Sequence, residues 1–114
     1  MPVRNYIWFK IASGADDLFI AGSQIAVVEI KDKKICVTRF QNNWYAFSYQ
    51  CPHASGILAD GFIDSLGNVV CPVHHYRFSI KTGRHFGGEE FSMKIYPAEI
   101  REDGIYIGIE QPVL

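Results

Sequence analysis

Two short clusters of metal-ligating residues, Cys51-Pro52-His53 and Cys71-Pro72-Val73-His74, set the terms for this 114-residue chain. Each cluster offers one cysteine and one histidine, and seventeen residues separate His53 from Cys71. Ligands two or three residues apart converge only from a turn, and Pro52 and Pro72 each restrict φ just after the cysteine. Gly56, Gly61, Gly83, Gly87 and Gly88 supply conformational freedom nearby. A single cysteine or histidine is ordinarily a packing or surface residue. Four in matched pairs, each cysteine followed by proline, point to a metal centre.

The clusters lie in a segment, about 50–90, rich in Gly, His, Pro and Cys, between two halves patterned as β-structure. Residues 6–12 are aromatic and β-branched, and 13–17 break the run. Residues 25–30 and 35–40 flank Lys31-Asp32-Lys33-Lys34, a polar connection suited to a hairpin. Gln41-Asn42-Asn43 turns the chain into 44–49, and 95–100 and 105–109 bracket Arg101-Glu102-Asp103-Gly104. A helical turn is expected only at 16–21. Short strands at regular spacing predict an all-β fold, an antiparallel sandwich or small barrel.

A chain of this length makes one domain, 1–114, with an expected radius of gyration of roughly 13 Å. It is 48% hydrophobic and 20% charged with a net charge of −1. That excludes a disordered chain and gives no basic excess for nucleic acid. No apolar run approaches the ~20 residues of a membrane span. Residues 1–10 lack a signal-peptide pattern, and three cysteines do not make a disulfide framework. The expected compartment is the cytoplasm.

A zinc site also uses two thiolates and two imidazoles, but usually keeps like ligands together along the chain. Here each loop mixes the two kinds, as a dinuclear cluster would require. Two ferric ions, two sulfides and two thiolates with neutral imidazoles sum to zero charge. Such a cluster is easier to reduce than an all-cysteine one. A zinc-binding interaction module stays open as a rival at this point.

Beyond the ligands, the stretch 25–110 resembles the Rieske-type ferredoxins of bacterial ring-hydroxylating dioxygenase systems. The likeness includes Leu58 five residues after His53, then Ala59-Asp60-Gly61-Phe62-Ile63-Asp64. It continues through His75-Tyr76-Arg77-Phe78-Ser79-Ile80-Lys81-Thr82-Gly83 and Lys94-Ile95-Tyr96-Pro97. The resemblance implies a Rieske-type antiparallel β-sandwich with a cluster-binding loop subdomain at one tip. It implies a [2Fe–2S] cluster, one per chain, with Cys51 and Cys71 on the inner iron and His53 and His74 on the outer. It also implies a one-electron carrier, not an enzyme in itself. The partners would be a flavin- or iron–sulfur-containing reductase and a terminal oxygenase or other redox enzyme. The small component of assimilatory nitrite reductase shares this fold and is the rival from the same family.

Three departures from the wider family matter. Respiratory relatives carry one further cysteine in each loop, joined as a disulfide; here those positions are Ile57 and Val73 or their neighbours, none of them cysteine. Those relatives also place Ser and Tyr two and four residues after the second histidine, where this chain has Tyr76 and Phe78. Losing those donors predicts a potential at the low end of the Rieske range, near about −150 mV. The stretch covering the cluster is His85-Phe86-Gly87-Gly88-Glu89-Glu90, with no proline between Pro72 and Pro97.

Other residues have plainer readings. His75 is expected at the docking surface or packed on the loop, and His85 as a loop residue. Cys36 reads as core. Trp8, Trp44, Phe47 and Tyr49 read as core or strand-face packing, and Lys31, Lys33 and Lys34 as a solvated hairpin. Asp60 and Asp64 fit loop capping. No Ser/His/Asp arrangement, P-loop or carboxylate pair for acid–base catalysis stands out.

Overall fold

The computed structural model describes residues 5–19, 23–52, 56–73, 75–85 and 92–111, the Asp16 side chain excepted. The described residues form three antiparallel sheets and no α-helix. The first sheet joins β1 (Tyr6–Ala12), β10 (Gly104–Glu110) and β9 (Ala98–Arg101), in that order. The second runs β2 (Ile25–Ile30), β3 (Lys33–Phe40), β4 (Asn43–Ser48) and β8 (Ile95–Tyr96). The third holds β5 (Phe62–Ile63), β6 (Asn68–Val70) and β7 (Arg77–Ser79). The radius of gyration is 13.9 Å, close to that expected for one domain.

Strand β3 is the middle of the molecule. Side chains alternate across a strand, and both faces of β3 are covered, so Ile35, Cys36, Val37 and Thr38 are all buried. Ile35 and Val37 pack with Ala46, Tyr96 and Ile107 in the core under the first sheet. Cys36 points the other way, into a second core with Phe47, Leu58, Phe78, Ile80 and Met93 that supports the third sheet.

The hairpins are tighter than the sequence implied. Ile30 pairs with Lys33, so the connection is Lys31-Asp32 alone, both at positive φ. Gln41-Asn42 repeats the arrangement between β3 and β4. Paired positive φ values are the backbone of a two-residue turn whose twist matches the flanking strands. Lys33 and Lys34 therefore belong to β3; all three lysines are exposed, with Lys31 over the Phe9 ring and Lys34 over Tyr49.

A larger difference falls at 95–100, read above as one strand. Pro97 divides it into β8 and β9, which lie in different sheets. Proline has no N–H for a ladder, while its carbonyl still accepts from the Gly108 N–H at 3.0 Å. Gly104 ends the β9–β10 turn at φ +153°, where a Cβ would meet the Ala12 carbonyl oxygen. The turn expected at 16–21 is a 3-10 turn at Ala15–Asp17, and residues 20–22 lie outside the described residues. Phe47 is core, whereas Trp8, Trp44 and Tyr49 are half-buried.

Candidate metal centre

Both candidate loops are built the same way. The first leaves β4, and its stem is held by the Leu58 N–H on the Tyr49 carbonyl and by the Gln50–Ile57 bridge. Inside that stem the Cys51 N–H donates to the Gly56 carbonyl at 2.9 Å. The second loop leaves β6 above the Val70–Arg77 pair, and the Cys71 N–H donates to the Tyr76 carbonyl, also at 2.9 Å. In each case a cysteine bonds to the residue five positions on. His75 closes the second loop at φ 58°, its N–H on the Cys71 carbonyl.

The two cysteines sit at the bases of these loops, 4% and 0% exposed, in one core with Phe47, Leu58 and Phe78. Neither forms a disulfide. Pro52, Val73 and His75 are exposed, so each loop climbs from a buried thiol to the surface. The loops meet at Gly56, where a Cβ would lie 2.8 Å from Cys71 Sγ and 2.5 Å from Val73 Cγ2. The residue facing Val73 across the loops is thus Gly56, next to the Ile57 named from the sequence.

Of the four expected ligands, the structure brings together Cys51 and Cys71. His53 and His74 lie outside the described residues, as do Gly87, Gly88, Glu89 and Glu90 of the covering stretch. Two buried, unbridged thiols on abutting loops fit a group held partly by thiolates. Cys36 behaves differently: burial, with the nearby Asp60 charge, pushes its thiol up to about 12. It stays protonated at neutral pH, as a core residue should.

Flanking groups brace the loops. Asp64 accepts from the Leu66 and Asn68 N–H groups at 3.0 and 2.9 Å and from Asn68 Nδ2 at 3.2 Å. Arg77, which follows the second loop, lies 3.5 Å from the same carboxylate. Burial pushes the Asp64 carboxyl up, but the bonds from Asn68 and Leu66 and the Arg77 charge outweigh it and hold the group below its ordinary value. Capping therefore belongs to Asp64, while Asp60 is exposed in the 3-10 turn Leu58–Asp60. His85 bridges to Phe78 and sets its ring 4.6 Å from that of Tyr76, packing against the second loop. Phe78 is fully buried and offers no hydroxyl.

Sequence reasoning did not find the Asp64–Arg77 pair, the His85–Tyr76 contact or the Gly56 approach. The Asp-x-x-Gly-Asn turn signals the bonds of Asp64 to Leu66 and Asn68, but none of these three contacts had a local signal. Among the described residues, no helix is long and apolar enough to cross a membrane.

Comparison with known proteins agrees with this geometry. Residues 8–97 match the Rieske [2Fe-2S] domain family. The ferredoxin component of the alkene monooxygenase system of Xanthobacter autotrophicus is 22% identical over 95 residues, 83% of this chain and 76% of that one. The fold matches a chain from the complex of reduced oxygenase and oxidized ferredoxin in carbazole 1,9a-dioxygenase with a TM-score of 0.76. That pair is 24% identical, covering 96% of this chain and 100% of the other. A candidate NADH-dependent nitrite reductase small subunit from Mycobacterium tuberculosis gives 0.78 at 19% identity, covering 92% and 96%. The match of family, fold and paired loops sets the zinc reading aside. The chain belongs to the Rieske [2Fe-2S] domain family.

Proposed function

We propose that Cys51 and Cys71 ligate one iron of the cluster and His53 and His74 the other. In this reading the chain is a single domain, 1–114, that relays electrons in the cytoplasm from a flavin- or iron–sulfur-containing reductase to a terminal oxygenase. When bound, the cluster supplies reversible one-electron chemistry at a potential above that of all-cysteine clusters. The protein's own contribution is to hold two thiolates in a dry core. A rigid holder of this kind needs little rearrangement when it gains or loses an electron.

The observation that carries the reading is the pair of buried, unbridged thiols at matching positions of two abutting loops. The oxygenase partner is supported by relatives that are ferredoxin components of oxygenase systems. Exposed Pro52, Val73 and His75 suit a small, transient docking face. A second reading, the small subunit of a nitrite reductase, is supported by the fold match with that class. Single substitutions Cys51→Ser, Cys71→Ser, His53→Ala and His74→Ala, each scored for iron, sulfide and visible absorption, test the ligand set. Retention of a wild-type cluster by any one of them would remove that residue from it. Co-purification with a large catalytic subunit would favour the nitrite reductase reading.

A further inference from the structure

We infer that Gln24 is a positioning residue of the electron-transfer centre: its carboxamide closes the open edge of β5 and fixes the loop-bearing sheet on the sheet below. The inference rests on the proposal that the two loops of this sheet hold the cluster.

Among the described residues, strand β5 pairs only with β6. The Asp64 N–H donates to the Asn68 carbonyl on the β6 side. Backbone groups alternate in direction along a strand, so the N–H and C=O of Ile63 face the outer edge. There the Gln24 side chain takes the place of a missing strand. The Ile63 N–H donates to Gln24 Oε1 at 3.2 Å, and Gln24 Nε2 donates to the Ile63 carbonyl at 3.4 Å.

Gln24 is anchored from beneath. Its own carbonyl accepts from the Thr38 hydroxyl at 2.7 Å, and Thr38, in β3, is 1% exposed. A polar path therefore runs from the middle strand through Gln24 to Ile63, whose side chain packs in the core containing Cys51 and Cys71. A cleft of about 620 Å³ opens along this seam, lined by Gln24, Thr38, Ile63 and Asp64 among others. Close packing does not fill the seam, which leaves the carboxamide to span it. An unpartnered backbone pair at a part-buried edge is costly, so removing the clip should loosen β5 and, through the 3-10 turn before it, the first loop.

Residue-resolved hydrogen exchange on the cluster-loaded protein tests this. In the wild type the Ile63 amide is expected to be protected, although it lies on a sheet edge. Gln24→Leu should speed its exchange by about tenfold or more, the scale of one to two lost hydrogen bonds, with Val37 in β3 unchanged. The same variant should broaden the electron paramagnetic resonance lines of the reduced protein and shorten the lifetime of its visible absorption. Gln24→Glu keeps only the bond from the Ile63 N–H and should fall between. An unprotected Ile63 amide in the wild type would overturn the inference even if Gln24→Leu did not fold. So would a Gln24→Leu protein with unchanged exchange and unchanged resonance lines. Iron analysis of the wild type reads the cluster proposal separately, because Ile63 protection does not depend on it.

Discussion

Gly56 and Cys71 stand so close that a single added carbon at position 56 would lie 2.8 Å from the Cys71 sulfur. Val73 is nearer still, its Cγ2 2.5 Å from the same point. The approach of the two loops is therefore set by the absence of a side chain, and it reaches the thiol of one proposed ligand directly.

Gly56→Ala should push the loops apart. Overpacking at a tight contact costs about 1–3 kcal/mol, and here the displaced atoms include Cys71 Sγ. The expected result is a lower melting temperature together with faster bleaching of the visible absorption, read in one thermal scan. An unchanged bleaching rate would show that the loops yield without moving the sulfur.

The same contact predicts a workable cross-link. The ideal Cβ position at Gly56 lies 3.4 Å from Val73 Cβ, at the short edge of the roughly 3.5–4.5 Å range for disulfides. The double variant Gly56→Cys/Val73→Cys should oxidise to a disulfide, and its loop-closure gain of about 3 kcal/mol should be offset in part by the new Cβ at 56 pressing on Cys71 Sγ. Mass spectrometry with and without reductant reads the bond, and denaturant unfolding reads the gain.

Asp64 predicts an acid-sensitive contribution. Its carboxyl is held below the ordinary value, so its stabilising effect is complete above the unfolded pKa of about 3.9. That contribution is lost as pH falls through the lower folded value. Asp64→Ala should cost about 1–2 kcal/mol at pH 7 through the lost turn bonds. Wild-type and variant unfolding curves should then converge as pH drops below about 4.

Cys36 separates packing from ligation among the three cysteines. Its thiol stays protonated at neutral pH and lies in the core. Cys36→Ala should keep the full iron and sulfide content at a stability cost of about 1 kcal/mol, typical of point mutants. Cys51→Ala and Cys71→Ala should lose the cluster. Iron and acid-labile sulfide assays on the three proteins make the comparison.

Much of the fold was legible because alternation and turn chemistry are local. The β2–β3, β3–β4 and β9–β10 hairpins could all be read from polar turns between β-branched runs. The division at Pro97 was not, since apolar alternation continues through it while the backbone changes sheets. In the site, the cysteines announced themselves by spacing, and the structure places both in one core. Gln24 gave no such signal: its partner Ile63 is 39 residues away and meets it through backbone atoms, which carry no side-chain pattern. Gly56 was one glycine among several until the fold set it against Cys71.

The most direct measurement is an optical redox titration of protein purified without oxygen, with iron and sulfide assayed on the same sample. Two irons and two sulfides per chain are expected, with a chromophore that bleaches on reduction near about −150 mV, the low end of the Rieske range. Fully buried Phe78, where respiratory relatives place a tyrosine, is the reason for that end of the range. A colourless sample holding zinc and no iron would contradict the electron-transfer role outright. A strongly positive midpoint would contradict the part assigned to Phe78.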